Sequence, residues 1–244
     1  MNVTVFAADR DSFIWWDWIA RRPDEIWQRT VEHVQLTVVA IAIGLAISSL
    51  LALLAVRFRW TYGPITWVGN VLYTIPSLAL FALLIPITGL GFVSAQIALV
   101  SYTILILVRS IVAGLDGVPP AAREAADAMG YTRGRRLLQV ELPLALPTII
   151  AGLRITSVTV VGLVTVTTLI GNGGYGAFID DGLNRRFSTP IVLGATLSVL
   201  LAVVLDVVLY GIERLVTPWR RAGRRSSLAA RVTALTPRLP GRLR

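Results

Sequence analysis

PPAAREAADAMGYTRGRRLLQVELPLALP, residues Pro119 to Pro147, is a polar and basic insert between segments of nearly unbroken apolar residues. Pro119 and Pro120 suit the first positions of a helix, where a missing backbone N–H costs nothing. The alanine-rich run after them has the highest intrinsic helix propensity, and Gly130 supplies a C′ stop. These signals predict a helix over about 121–129, roughly nine residues or ~14 Å, too short to persist alone in water. It must therefore fold against something. Its small side chains (Ala121, Ala122, Ala125, Ala126, Ala128) let another surface come close to its backbone. A second short basic helix is expected over about 133–140, ending before Pro143, because proline removes a donor and disfavours helix in the residue before it.

The segments flanking the insert set the class. More than half of the 244 residues are apolar and 15% are charged. Apolar runs exceed the ~18 residues that mark a bilayer-crossing helix, so the chain is an integral membrane protein: all-α, a polytopic helical bundle. With no cysteine, disulfides, thiolate metal sites and cysteine catalysis are excluded. The net charge of +9 does not indicate a nucleic-acid partner, because the basic residues sit at span edges and in a tail. All 23 basic residues are arginine.

Five spans are expected, over about 34–56, 65–87, 92–108, 148–170 and 190–212, within a membrane domain covering 30–216. The insert forms a loop over 116–147. Residues 1–29 hold five acids and four arginines around Phe13, Ile14, Trp15, Trp16 and Trp18, and suit either a helix lying in the membrane interface or a partly ordered tail. Residues 217–244 continue an arginine-rich tail that suits anionic lipid headgroups; from Arg214 onward there are nine arginines and no acid. If the turn after the first span, the insert and the tail share one side, that side holds fifteen arginines against six. The positive-inside rule then favours an outside N-terminus and a cytoplasmic C-terminus.

The insert resembles the EAA signature of ABC importer permeases, the binding-protein-dependent inner-membrane components of MetI-like fold. Glu124, Ala125, Ala126, Gly130, Val140, Leu142 and Pro143 match the pattern EAA-x3-G-x9-I-x-LP, with valine where isoleucine is usual. The resemblance implies that the loop is a coupling helix docking on a separate ATP-hydrolysing subunit. Three further stretches are similar to the osmoprotectant subfamily, which carries glycine betaine, choline, carnitine or proline: Thr74 to Gly91, Leu169 to Gly176 (LIGNGGYG), and Leu205 to Pro218. The implied partners are two ATPase subunits, a second permease copy or paralogue, an extracytoplasmic solute-binding protein and membrane lipids. The implied location is the bacterial cytoplasmic membrane.

Other motifs carry less. Gly171, Gly173 and Gly176 spell G-x-G-x-x-G, but a membrane span precedes them where a dinucleotide site needs a strand. No P-loop exists, so the chain cannot be its own ATPase. His33 reads as an interfacial histidine at the start of the first span, and too few ligands remain for a metal; no cofactor is expected. Asp206 is the one carboxylate inside an expected span, and an ionisable group there needs a partner across a helix interface; Arg154 and Arg109 are the candidates. Asn70, Thr74, Ser77, Ser101 and Tyr102 are candidates for a pathway lining or for ordinary contacts between helices. Pro76 and Pro86 are expected to kink or end the second span.

The expected function is the permease subunit of an ATP-driven osmoprotectant importer, which performs no covalent chemistry itself. Two alternatives stand beside it. One is an importer of the same architecture for amino acids or methionine; the other is a self-contained channel or secondary transporter, which would leave the EAA loop unexplained.

Overall fold

The computed structural model describes residues 13–171 and 173–219, and every regular element among them is helical. In chain order these are α1 (Trp16–Ala20), α2 (Pro23–Arg57), α3 (Tyr62–Thr74), α4 (Ser77–Thr88), α5 (Phe92–Asp116), α6 (Pro120–Ala128), α7 (Arg133–Arg136), α8 (Leu142–Val164), α9 (Gly176–Arg185) and α10 (Ser188–Val216). Four runs are long and apolar enough to cross a membrane: Pro23–Arg57, Phe92–Asp116, Arg133–Ile170 and Ser188–Val216. The run Arg59–Thr74 and α4 make a fifth if they count together as one broken span.

The central element is α5. It contributes Ala95, Ala98, Leu99, Val100 and Tyr102 to one core cluster, with Leu36 and Ala40 of α2, Leu80 and Phe81 of α4, and Val160 and Val164 of α8. Val108, Ile111, Val112 and Leu115 join a second cluster with Ala52 and Ala55 of α2 and Ala145 of α8. Small residues set the approach of the flanking helices. A Cβ added to Gly44 would stand 1.9 Å from Thr103 Oγ1, and one on Gly152 would stand 2.1 Å from Ser110 Oγ. Lipid is as apolar as leucine, so helices in a bilayer associate through such close contacts.

The remaining helices lie outside this centre. α10 packs on α8 and α9. Its opposite face exposes Val199, Leu200, Val203, Val204, Val207 and Val208.

Several boundaries differ from the sequence-based expectation. The first long helix starts at Pro23, so residues 23–29 belong to it and not to a separate interfacial segment. Proline at the first helical position with Asp24 and Glu25 in the first turn explains the earlier start. Trp15 and Trp18 meet Phe187 and Phe178 edge to face, at centroid distances of 6.2 Å for Trp15–Phe187 and 6.3 Å for Trp18–Phe178. Residues 1–12 and the tail from Arg220 lie outside the described residues.

The second expected span is broken. α3 and α4 meet at 97°, with Ile75 extended before Pro76, whereas Pro86 sits inside α4 without ending it. The third helix continues past Arg109 to Asp116, where the Arg59 guanidinium binds the Asp116 carboxylate through two hydrogen bonds of 2.9 and 2.5 Å. Arg59 follows α2, so the basic turn after the first long helix and the start of the polar insert lie at the same end of the bundle.

The helix expected to end before Pro143 does not end there. From Arg133 the chain passes through a π turn, Leu137–Glu141, directly into α8, and both Pro143 and Pro147 are helical. In that turn the Leu142 N–H bonds the Leu137 carbonyl five residues back. The hydrogen-bond ladder has slipped by one residue just before the proline, which relieves the clash of its ring with a carbonyl four back.

Candidate functional site

α6 stands at the end of the bundle beside the Arg59–Asp116 pair. Its C-terminus closes as a Schellman turn: Gly130 takes φ +76°, its N–H bonds the Asp127 carbonyl at 2.9 Å, and the Tyr131 N–H bonds the Ala126 carbonyl at 3.1 Å. The inner face is Ala126, fully buried, and Ala122, packed on the second core cluster. Ala121, Glu124, Ala125, Ala128 and Met129 are exposed. A nine-residue helix cannot hold this posture through its own hydrogen bonds.

A chain of charges holds it instead. Glu141, in the π turn, is buried and accepts a 2.8 Å hydrogen bond from Arg136 Nε, while Arg123 Nε stands 3.8 Å away. Arg136 also grips both oxygens of Asp127 on α6, at 2.7 and 2.6 Å, and Arg123 donates to the Leu115 carbonyl of α5 at 2.5 Å. α6 is thereby tied to α5 and to the foot of α8. Glu141→Gln keeps the shape but removes the charge that holds two arginines together. We expect a loss of about 2 kcal/mol concentrated in this region. Amide exchange over residues 120–131 is then expected to speed up by about tenfold or more, with the core of α5 unchanged.

The EAA positions take different places in this assembly. Glu124 and Ala125 face outward, Ala126 faces the core, and Gly130 makes the turn. Val140 lies within the π turn, and Leu142 and Pro143 begin α8. Among the described residues Glu124 has no ion pair or hydrogen bond, whereas Asp127, Glu141, Arg123 and Arg136 are all engaged inward.

The polar residues singled out inside the spans fall into two separate groups. Asn70, Thr74 and Tyr102 gather at the broken span. Asn70 Oδ1 accepts from Arg109 at 3.0 Å, and the Thr74 hydroxyl turns back to the Asn70 carbonyl at 2.8 Å. A groove of about 380 Å³ lined by Trp67, Asn70, Val71, Thr74 and Ile75 opens there. Ser101 bonds its own helix through the Ile97 carbonyl at 2.7 Å, and Ser77 opens α4.

Tyr102, buried on α5, donates its hydroxyl to the Ile75 carbonyl at 2.5 Å. That carbonyl is freed by the break at Pro76, and in lipid an unpartnered backbone group is costly. Tyr102→Phe is expected to cost about 1 kcal/mol, read as a fall of about 2–4 °C in the midpoint of thermal unfolding in detergent.

Asp206 belongs to the second group, between α10 and α8. Arg154 Nε and Nη2 meet its two oxygens at 2.7 and 2.8 Å. Arg109, the other candidate partner, is occupied by Asn70.

At the end of the bundle opposite α6, His33 is fully buried, in contrast to the interfacial position expected for it. The Tyr175 N–H donates to His33 Nδ1 at 3.2 Å, which leaves Nε2 as the N–H that faces the Val161 carbonyl at 3.1 Å. Glu32 accepts from the Gly173 N–H at 3.2 Å, and Thr30 meets the Tyr175 hydroxyl at 3.1 Å. Gly173 and Tyr175 of the LIGNGGYG stretch are thus fastened to α2 by Thr30, Glu32 and His33. Partners more than a hundred residues away leave no trace in local periodicity, which is why the sequence does not mark these three side chains. Gly174, at φ +44°, passes so close to His33 that a Cβ would stand 2.6 Å from the histidine's own.

A helical bundle of four to five spans, with a short small-faced helix carried on a loop at one end, matches the family model described as binding-protein-dependent transport system inner membrane component over residues 33–221. The chain belongs to this family. It is the membrane component of a binding-protein-dependent transport system, multi-pass in the inner membrane.

Among curated relatives, the permease is 36% identical over 194 residues to the choline transport system permease protein OpuBB of Bacillus subtilis, covering 80% of this chain and 89% of that protein. It is also 36% identical over 194 residues to the osmoprotectant import permease protein OsmW of Salmonella typhimurium, covering 78% and 90%. Among solved structures, the methionine ABC transporter MetNI in an inward-facing conformation superposes on the permease with a TM-score of 0.69 at 25% identity, covering 79% of this chain and 96% of that one.

Proposed function

We propose that the permease is the membrane-spanning subunit of an ATP-driven importer for osmoprotectants of the glycine betaine, choline and carnitine type. The observation that carries the substrate class is the set of relatives at 34–36% identity over about four fifths of the chain, whose names specify choline, osmoprotectants, and glycine betaine with carnitine and choline. The methionine and amino-acid transporters share the fold at 25% and 19% identity and give no comparable support for their own solutes.

The route from ATP to solute runs through α6. Its outward Glu124 and Ala125 meet a separate ATPase subunit, and the Arg123–Glu141–Arg136–Asp127 chain passes the movement of α6 to the foot of α8 and to α5. The arginine census supports a cytoplasmic position for this end and an outside position for the His33 end, where α9 and residues 173–175 would face an external binding protein. A second permease copy or paralogue covers part of the exposed face, and two ATPase subunits serve the pair. Glu124, Ala125, Ala126, Gly130, Val140, Leu142 and Pro143 form the coupling segment.

The test is uptake of radiolabelled glycine betaine and choline into proteoliposomes that hold the permease with the ATPase, partner permease and binding protein encoded beside it. Uptake that requires ATP and the binding protein, and is not competed by methionine, is the expected result. Uptake indifferent to ATP would replace the importer with a channel or a secondary carrier. ATP-driven uptake of methionine alone would keep the importer and discard the solute.

A further inference from the structure

The groove between α8 and α10 holds more charge than a packing contact needs. Arg154 makes its bidentate pair with Asp206 and stands 3.8 Å from Glu213 through Nη1. Its guanidinium also lies 5.1 Å from the centre of the Tyr210 ring, which carries the Arg214 guanidinium at 4.5 Å. Asp206 is ten residues from the end of α10 at Val216, or ~15 Å along the axis. The pair therefore lies well inside the apolar length of both helices, flanked on the surface by Val203 and Val207.

The groove is not sealed. Arg154 and Asp206 leave 29% and 34% of their side chains accessible. An ion pair at that depth is tolerated where it meets water or other polar groups, and not where it meets acyl chains. We propose that the groove of Arg154, Asp206, Tyr210 and Glu213 is a binding subsite for a zwitterionic quaternary-ammonium solute on its way through the membrane. The ligand identity rests on the osmoprotectant reading above; the partly accessible charge cluster does not.

The chemistry of the groove matches such a solute group by group. A guanidinium already holding a carboxylate through two parallel N–H donors is built for a second carboxylate of the same geometry. Tyr210 already carries cations against its ring, the contact that a trimethylammonium group makes with an aromatic face. Asp206 and Glu213 supply the counter-charge for that cation. The solute itself carries no net charge. Binding is then an exchange of partners: the solute carboxylate takes Arg154, its ammonium takes Asp206 and the Tyr210 ring, and no net charge enters the membrane.

A solute with the ammonium but no carboxylate makes only half of these contacts, and this separates a subsite from a structural clasp. In the reconstituted complex, Arg154→Gln is expected to lower the ratio of glycine betaine to choline uptake by about tenfold or more, the scale of a lost charge-assisted hydrogen bond. Choline keeps its acidic and aromatic partners. A clasp that only holds α8 to α10 would depress both solutes equally, and that outcome overturns the proposal. Wild-type complex that carries neither solute overturns the ligand together with the substrate class. The groove itself has a separate readout, because the chain has no cysteine of its own. In Val158→Cys, an exposed position one turn from Arg154 on the same face of α8, a membrane-impermeant maleimide is expected to react in the assembled complex, and glycine betaine to slow the reaction. Absence of labelling would mean that lipid or protein covers the groove and would overturn the site.

Discussion

Glu124→Arg is expected to abolish ATP-driven uptake while leaving the permease folded. Glu124 is exposed on α6 and has no ion pair or hydrogen bond among the described residues, so reversing its charge breaks no contact with them. The expected change in stability is within about 0.5 kcal/mol, the ordinary range for a surface substitution. At a docked interface the same reversal sets like charges against each other or strands a charge without its partner, which costs several kcal/mol and corresponds to about a hundredfold or more in productive complex. Uptake in proteoliposomes and the thermal unfolding midpoint of the same preparation separate the two effects. A midpoint that falls with the uptake would move Glu124 from the interface to the fold.

That contrast follows how the polar insert is built. Its outer half is local: two prolines, a run of alanines and a glycine in the left-handed region describe α6 within a residue of where it lies, because each signal acts over three or four positions. The inner half is not local. Glu141 reads as one acid in a basic stretch, yet it is the buried centre of the charge network that orients α6, and its partners, Arg123 and Arg136, come from α6 and α7. The π turn itself is invisible to a rule that assumes an α-helical ladder, which is why Pro143 reads as a stop and is not one.

The same division holds through the membrane. Apolar runs locate the long helices, since hydrocarbon demands them wherever the chain crosses, and Pro76 marks the break in the second span because the lost donor is a property of the residue. Helix ends are less legible. Arg109 reads as the end of a span, but the Asn70 side chain that receives its guanidinium comes from α3 and lets α5 continue two more turns. Asp206 announces that it needs a partner without saying which, and the choice of Arg154 over Arg109 is made by the packing of α8 on α10. His33 is the extreme case. A single histidine at the head of a span carries no pattern, and its burial depends on residues 161 and 175 arriving from the other half of the chain.

The LIGNGGYG stretch shows what those glycines are for, and it yields the largest expected effect on stability. A Cβ at Gly176 would stand 1.9 Å from the Thr165 carbonyl oxygen, 2.7 Å from its carbon and 2.8 Å from its Cα. All three atoms are backbone. At Gly44 the closest atom, Thr103 Oγ1, belongs to a side chain that can rotate, but at Gly176 either the start of α9 or the 3-10 segment Thr165–Ile170 must move. That segment is anchored: the Ile170 carbonyl accepts from the Gly91 N–H at 3.0 Å, and Ile170 is in the core. α9 is anchored as well, with Tyr175 held by His33 and Phe178 buried. Neither element can shift without breaking these contacts, so Gly176→Ala is expected to cost about 3 kcal/mol or more, the upper range for overpacking. The cost should appear as a large fall in the thermal midpoint in detergent and poor yield from the membrane. Because the clash is with backbone, Thr165→Ser, which trims only the side chain, should not rescue it. A Gly176→Ala protein that unfolds at the wild-type temperature would show that α9 and the Thr165 segment separate freely, and that the glycines of this loop serve some purpose other than close approach.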